Sequence, residues 1–341
     1  MFSNELIEIL HQKSDEHLIR EIEITGEGNH PGAERQHIVF GVDSDFIRHA
    51  CVTMQSIVEK TECAQYHFHF ITSEESESLI TDIARIIHHT RHILSIHIIS
   101  AEIFRGFPES NLFTKAAYYR LLSPYILHKE EKILYLDADI VCLKEFSGLF
   151  SISIPENKSA GVVREDDYKC LNLAKKIALS GNDYFNSGVL LINVSTWIRK
   201  KVTERVIKIL QERGRKFKYY DQDALNVALE KDVIFIPRKY NNIIMLDNRA
   251  GQFSVMPSED VIFLHYAGAD KPWQLWNNQP AARYYQSIYA RSPWAYIPFD
   301  MPKNDQQAKK MYKAMLKSHN FIHAVAWYFT YLKLRYIKKR L

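Results

Sequence analysis

Short apolar runs alternate along the chain with stretches whose apolar residues recur every three or four positions, a rhythm that predicts strand and helix in turn. Residues 37–42 (HIVFGV) read as a buried strand, after which Ile47, Ala50, Cys51, Met54, Ile57 and Val58 fall at helical spacing. Tyr66, Phe68 and Phe70 alternate with His67 and His69, which is strand period; Leu79, Ile80, Ile83, Ile86 and Ile87 return to a helical stripe, and HILSIHII at 92–99 is strand again. Residues 118–128 predict a helix interrupted near Pro124, followed by a buried strand at 132–136 (KILYL). Later strands are expected at 160–163, 189–194, 233–236 and 261–264, with helices over 195–212 and 222–230. The class is therefore α/β with a largely parallel sheet. Residues 1–30 read as a polar helix followed by the breaker-rich segment 26–32, and beyond Trp276 the strand signals give way to helical and irregular sequence.

With 341 residues, 46% of them apolar and 25% charged, the chain can bury a large core, which excludes a disordered chain or a disulfide scaffold. Lys plus Arg is 44 and Asp plus Glu 40, so the formal balance is 44 − 40 = +4, too even for a dedicated nucleic-acid binder. Cys51, Cys63, Cys142 and Cys170 form no C-x-x-C pair and are expected to be buried free thiols in a reducing compartment. The first twenty residues carry Glu5, Glu8, Asp15 and Glu16 among their apolar positions, unlike a secretory signal, and no apolar stretch reaches the roughly 18 residues of a spanning helix. A location in the cytosol or on the cytosolic face of a membrane is expected.

The sequence G-x-x-x-x-G-K-[ST] is absent, and Gly26-Glu27-Gly28 leads to Pro31 and a strand where a dinucleotide fingerprint needs a helix. The strongest chemical signal is Leu136-Asp137-Ala138-Asp139, a buried strand running into two carboxylates spaced i, i+2. Ligands of open α/β sheets bind at the carboxyl ends of strands, where two such hard oxygen donors suit Mg²⁺ or Mn²⁺. A solvated Asp-x-Asp turn would look the same in sequence. His265, after another apolar strand, would favour Mn²⁺ if it completed the site; Gly268 allows close backbone approach, and Lys271 offers a point charge for phosphate. Asp43, past the first strand with Gly41 and Val42, could face a nucleoside or simply cap the next helix.

Taken in order, these residues resemble glycosyltransferase family 8, with its GT-A fold. The resemblance rests on Gly41-Val42-Asp43, Arg120, Leu136-Asp137-Ala138-Asp139, Tyr184-Phe185-Asn186-Ser187-Gly188, Asp221-Gln222-Asp223 and residues 265–273, and covers residues 36–276. Within the family the chain is most similar to the bacterial lipopolysaccharide core α-glucosyl- and galactosyltransferases. With the pattern read above, the expected organisation is an N-terminal helical extension (1–35), a GT-A catalytic domain (36–279) and a C-terminal helical, basic, membrane-associating region (280–341). The resemblance implies a Mn²⁺ or Mg²⁺ ion on Asp137, Asp139 and His265, flanking Ala138, binding the diphosphate of UDP-glucose or UDP-galactose. Asp43, Ser44 and Asp45 would face the uridine, Arg120 would lie beside the donor, and Gly268 and Lys271 would close on the phosphates. Asn186, Ser187 and Gly188 would line the transferred sugar, and Asp221 and Gln222 its reacting face. An acidic residue expected after the strand at 160–163 is Glu165 or Asp166.

Ordinary readings compete at several of these positions. Asn186-Ser187-Gly188 would serve as a turn into the strand at 189–194, and Asp221 would cap a helix starting at Gln222. Trp197 is expected in helix packing, whereas Trp273 and Trp276 fit packing or sugar contact. The family transfers hexose with retention, through either a covalent intermediate on a carboxylate such as Asp221 or same-face attack, which is the favoured route. Two rivals remain: Asp137-Ala138-Asp139-Ile140-Val141 fits the D-x-D-x-[TV] signature of haloacid-dehalogenase-like phosphatases, and a membrane-surface carbohydrate-binding module would need no metal. The tail from Met311 has no acidic residue and collects Lys333, Arg335, Lys338, Lys339 and Arg340 beside apolar and aromatic positions. A helix there would dock on anionic lipid, bringing the enzyme to a lipopolysaccharide outer-core acceptor on the cytosolic face of the inner membrane.

Overall fold

The computed structural model describes residues 18–110, 113–246 and 256–338, and the first seventeen residues of the expected N-terminal helix lie outside them. The chain divides into two compact units, residues 1–242 with 260–265, and residues 243–259 with 266–341.

In the first unit the strands are β1 (Leu18–Thr25), β2 (Arg35–Gly41), β3 (Gln65–Thr72), β4 (Ile93–Ile99), β5 (Lys132–Leu136), β6 (Ile140–Cys142), β7 (Ala160–Arg164), β8 (Phe185–Asn193) and β9 (Val233–Phe235); β10 (Phe263–Tyr266) begins in it. The helices are α1 (Ile47–Lys60), α2 (Glu77–Ile87), α3 (Asp167–Ile177), α4 (Val194–Arg199), α5 (Val202–Arg213) and α6 (Tyr220–Ala228). Eight strands form one sheet in the order β1-β4-β3-β2-β5-β8-β7-β9. The stretch β4-β3-β2-β5 is parallel, β8 runs antiparallel to both β5 and β7, and β9 is again parallel to β7. Every residue of β3 and β4 is buried, so the histidines that alternate with Tyr66, Phe68 and Phe70 lie inside as well as the apolar side chains. This is the expected α/β architecture, with a mostly parallel central sheet.

A large part of the core lies on one sheet face, where Val39, Tyr119, Tyr135, Tyr184, Phe185 and Trp197 pack with α4, α5 and α6. Trp197 is buried there, its indole N–H donating to Thr203 Oγ1 at 2.9 Å, as expected of a packing residue.

Five expectations are corrected. Residues 18–25 form strand β1, not helix: Glu21 and Glu23 alternate with Ile22 and Ile24, and the strand pairs antiparallel with β4 at the sheet edge, where charge is tolerated. The helix expected over 195–212 is two, because Lys201 adopts a left-handed conformation (φ 50°) between α4 and α5. β8 already begins at Phe185, so Asn186, Ser187 and Gly188 are strand residues, not a turn. Asp221 lies inside the first turn of α6; the side chain that caps this end is Asp223, whose Oδ2 accepts the Lys218 and Tyr219 N–H groups at 2.9 Å. Cys63 is exposed, unlike Cys51, Cys142 and Cys170, and all four are free.

The second unit holds the helices α7 (Ala282–Tyr289), α8 (Asp305–Lys317) and α9 (Phe321–Lys338). Asn304 caps α8, accepting the Gln307 N–H at 2.9 Å. Lys310 on α8 holds both oxygens of Asp270, at 2.5 and 2.7 Å. Trp273 and Trp276 are buried, and Trp273 packs on Tyr285 with ring centroids 5.2 Å apart.

Candidate active site

β5 ends at Leu136, and the chain continues its ladder for one residue, Asp137 N–H donating to the Gly188 carbonyl at 2.9 Å. The Asp137–Asp139 turn is then anchored from α1, where the Thr53 hydroxyl lies 3.2 Å from the Ala138 carbonyl and 2.7 Å from that of Ile140. Next, β6 pairs antiparallel with β10 so that Ile140 faces His265. That register brings an imidazole from a residue more than 120 positions later beside the two carboxylates.

Donor atoms of Asp137, Asp139 and His265 lie within 4.8 Å of one another. His265 Nε2 is 3.1 Å from Asp139 Oδ1 and 3.9 Å from Asp137 Oδ2. Neighbouring ligands on an octahedral ion with bonds of about 2.1 Å are roughly 3 Å apart, so the trio fits a small divalent ion. His265 Nδ1 contacts Asn241 Oδ1 at 2.9 Å, and since that oxygen only accepts, the proton sits on Nδ1 and Nε2 presents its lone pair. Asn241 is itself fixed by donating to Asn186 Oδ1, which also accepts the Gly188 N–H. A Cβ on Gly188 would come within 2.4 Å of His265 Cε1 and 2.8 Å of Asp137 Oδ2. Only glycine leaves both donors in place.

Arg120 organises the opposite side. Its Nη2 donates to Asp137 Oδ1 at 2.8 Å, its Nη1 to the Ser187 carbonyl and hydroxyl at 2.9 Å each, and its Nε lies 3.3 Å from Asp221 Oδ2. The guanidinium stacks over the Tyr135 ring at 4.5 Å. Burial opposes its charge, but Asp137 and Asp221 outweigh that and hold its pKa above the ordinary value. Gly41 makes this approach possible: a Cβ there would press to 3.0 Å on Tyr119 and 3.3 Å on Arg120 N. Asp221 is 2% exposed, and burial lifts its carboxyl to about 6, Arg120 pulling it down and Asp137 pushing it up. Gln222 Oε1 accepts from Asn186 Nδ2 at 3.0 Å and Ser187 N at 3.1 Å, while its Nε2 donates to Tyr184 OH, which in turn donates to Asp223 Oδ1 at 2.5 Å.

The first unit thus brings together Arg120, Asp137, Asp139, Asn186, Ser187, Gly188, Asp221, Gln222 and His265 through direct contacts. Val42 is buried, its N–H donating to the Ile71 carbonyl at 3.0 Å. Asp43 Oδ1 accepts the Phe46 N–H and Oδ2 the Thr114 hydroxyl, so it does help start α1 as an ordinary turn residue would; Ser44 and Asp45 are exposed beside it. Asp166 caps α3, and Glu165 is buried with Lys169 Nζ at 3.4 Å. Gly268 and Lys271 belong to the second unit, where Gly268 has φ +89° and Lys271 Nζ donates to the Tyr266 carbonyl at 2.8 Å. Sequence reasoning missed Asn241, Tyr135 and Thr53. Only Tyr135 carried a signal, two residues before Asp137 on the same face of one strand.

Comparison with known proteins identifies the family. The family model described as glycosyl transferase family 8 matches residues 37–277, and that of the family 8 C-terminal region matches residues 280–335. A lipopolysaccharide 1,2-glucosyltransferase of Escherichia coli is 29% identical over 314 residues, spanning 89% of this chain and 92% of that protein. The lipopolysaccharide glucosyltransferase WaaO of the same species is 31% identical over 86% of this chain and 89% of its own length, and a lipopolysaccharide 1,3-galactosyltransferase of Salmonella typhimurium is 26% identical over 91% and 94%. Among solved structures, the galactosyltransferase LgtC with donor and acceptor sugar analogues superposes with a TM-score of 0.66 at 24% identity, covering 76% of this chain and 99% of that one. The chain belongs to glycosyl transferase family 8 and has its GT-A fold. It is a glycosyltransferase, which sets aside the phosphatase and the non-enzymatic module.

Proposed function

We propose that this protein transfers a hexose, glucose or galactose, from its UDP-sugar to a sugar of the lipopolysaccharide outer core, retaining the anomeric configuration. The observation that carries the reading is the convergence of Asp137, Asp139 and His265 beside Arg120 in a chain whose relatives are named lipopolysaccharide glucosyl- and galactosyltransferases. Asp137, Asp139 and His265 would hold Mn²⁺ or Mg²⁺, which when bound would neutralise charge on a leaving diphosphate. Asn241 keeps the His265 proton on Nδ1 so that Nε2 can ligate. Asn186, Ser187 and Gln222 form one hydrogen-bonded edge for orienting a sugar, and Asp43 with Ser44 and Asp45 faces the uridine.

Retention by a covalent enzyme intermediate needs an available nucleophile. Asp221 is buried against Arg120, and Gln222 Oε1 is occupied by Asn186 and Ser187. Both facts favour same-face attack, in which the acceptor oxygen bonds to the anomeric carbon on the side from which UDP leaves. Its proton then passes to the leaving phosphate. Purified protein with Mn²⁺ is expected to transfer from UDP-glucose or UDP-galactose to truncated lipopolysaccharide core and to give an α-linked first product by NMR of the anomeric proton. A β-linked product, or no turnover with any UDP-hexose, would overturn the reading.

The tail supports a membrane-borne acceptor. On α9, Phe321, Ile322, Val325, Tyr328, Phe329, Leu332 and Tyr336 are all exposed, while Ala324 and Tyr331 are buried. Their spacing makes one apolar stripe pointing to solvent, near the cationic Lys333 and Arg335. No helix of the described residues is long and apolar enough to cross a membrane. The stripe instead fits the interface of an anionic leaflet, each nearby Lys or Arg adding about 1 kcal/mol. Deleting residues 321–341 is expected to release the protein from anionic vesicles and to slow transfer to membrane-borne acceptor at least about tenfold, with UDP-sugar hydrolysis little changed. Salt should weaken binding of the intact chain. Equal pelleting of the truncated protein would make the tail structural.

A further inference from the structure

We propose that His37, His67 and His69 form a second metal site, chemically distinct from the carboxylate-rich one and suited to Zn²⁺. The sheet itself builds it. His67 and His69 are i, i+2 on β3 and so share one face, and the parallel register sets His37 of β2 directly opposite His67. One ring nitrogen from each lies within 4.8 Å of the others, and all three residues are buried. His37 Nδ1 and His69 Nε2 are 3.0 Å apart, close to the roughly 3.3 Å that two ligands span on a tetrahedral ion with Zn–N of about 2.0–2.1 Å.

Each ring's other nitrogen already has a partner that would orient it. His37 Nε2 lies 3.0 Å from Glu130 Oε2, His69 Nδ1 lies 3.1 Å from His97 Nε2, and His67 Nε2 lies 2.9 Å from Ser95 Oγ. With those nitrogens protonated and donating, His37 Nδ1, His69 Nε2 and His67 Nδ1 are the nitrogens left to ligate. Carboxylate, imidazole and hydroxyl supports of this kind are what metal-bound histidines commonly carry. Burial also disfavours protonation of these rings, holding His67 at about 3, so the ligating neutral form prevails at neutral pH. An all-imidazole set prefers Zn²⁺ over Mg²⁺ or Mn²⁺. Three protein ligands leave a fourth position for water. A metal-free ladder of neutral imidazoles, linked only by hydrogen bonds, is the alternative.

The test uses full-length protein stripped with EDTA and then given Zn²⁺ or Co²⁺ alone. His265→Ala, which has lost the imidazole of the carboxylate-rich site, is expected to retain one zinc per chain through gel filtration, to show the intense visible absorption of tetrahedral Co²⁺, and to melt higher with Zn²⁺, while wild type should retain at least as much zinc. His69→Gln combined with His265→Ala should lose the zinc and the cobalt spectrum. Glu130→Gln, a conservative change at a partly exposed side chain, should keep the fold and weaken Zn²⁺ binding about 10- to 100-fold. Zinc retention in the double variant equal to that of His265→Ala, an unchanged affinity in Glu130→Gln, no zinc retained by wild type, or loss of the cobalt spectrum in His265→Ala would each overturn the proposal.

Discussion

Asp139→Ala is expected to lower sugar transfer at least about 10³-fold while the fold survives, and Asp137→Ala to do the same with a larger cost in stability. The difference stems from their neighbours. Asp139 faces His265 Nε2 at 3.1 Å and its loss removes one donor from the trio. Asp137 also receives Arg120 at 2.8 Å, and removing one partner of a buried ion pair commonly costs about 3–5 kcal/mol. Arg120 keeps Asp221 at 3.3 Å, so the penalty should fall at the lower end. EDTA should silence the wild type, and Mn²⁺ should restore it without restoring Asp139→Ala. The check is transfer rate against Mn²⁺ concentration, with circular dichroism and a thermal melt as controls. Full activity of Asp139→Ala, or turnover by metal-free wild type, would remove the metal from the mechanism.

Much of the frame was legible because the sheet is covered on both faces. Strands such as Lys132–Leu136 then appear as unbroken apolar runs, and the polar residues just past their carboxyl ends can be read as chemistry. The same rule pointed to His265, though the strand sits two residues later than its apolar run suggests and includes the histidine. Legibility failed where polar residues go inside. Asn186 and Ser187 look like turn residues because, within the chain's local sequence, nothing satisfies their polar groups; Gln222 and Asn241 do so from 36 and 55 residues away. Asn241 itself sits in a segment without periodicity, so no spacing marks it. β1 failed differently: its alternation of Glu and Ile becomes informative only against β4, whose edge it covers.

Asp221→Asn should preserve the fold, lose on the order of 10²-fold in turnover, and flatten the acid limb of the pH profile. Asp221 is buried, and burial raises its pKa from 3.8 to about 6, with Arg120 lowering it and Asp137 raising it. The folded state therefore binds this proton more tightly than the unfolded chain. Stability from this group is fully present below about pH 3.8 and declines as pH rises through about 6. At neutral pH the ionised carboxylate costs on the order of 3 kcal/mol relative to its neutral form. Its negative charge is retained beside Arg120 at that expense, which favours a role in the reaction over one in folding. Wild-type activity should accordingly fall as pH drops through about 6, where the carboxylate is neutralised. Asn has nearly the same shape and still offers Arg120 a carbonyl oxygen, yet it mimics the neutral form at every pH. The variant should melt no lower than wild type at pH 7 while staying slow, and its rate should be nearly level from pH 5 to 8. Wild-type turnover in Asp221→Asn, or an acid limb near pH 6 that persists in it, would show that the charge on this residue does not take part in transfer.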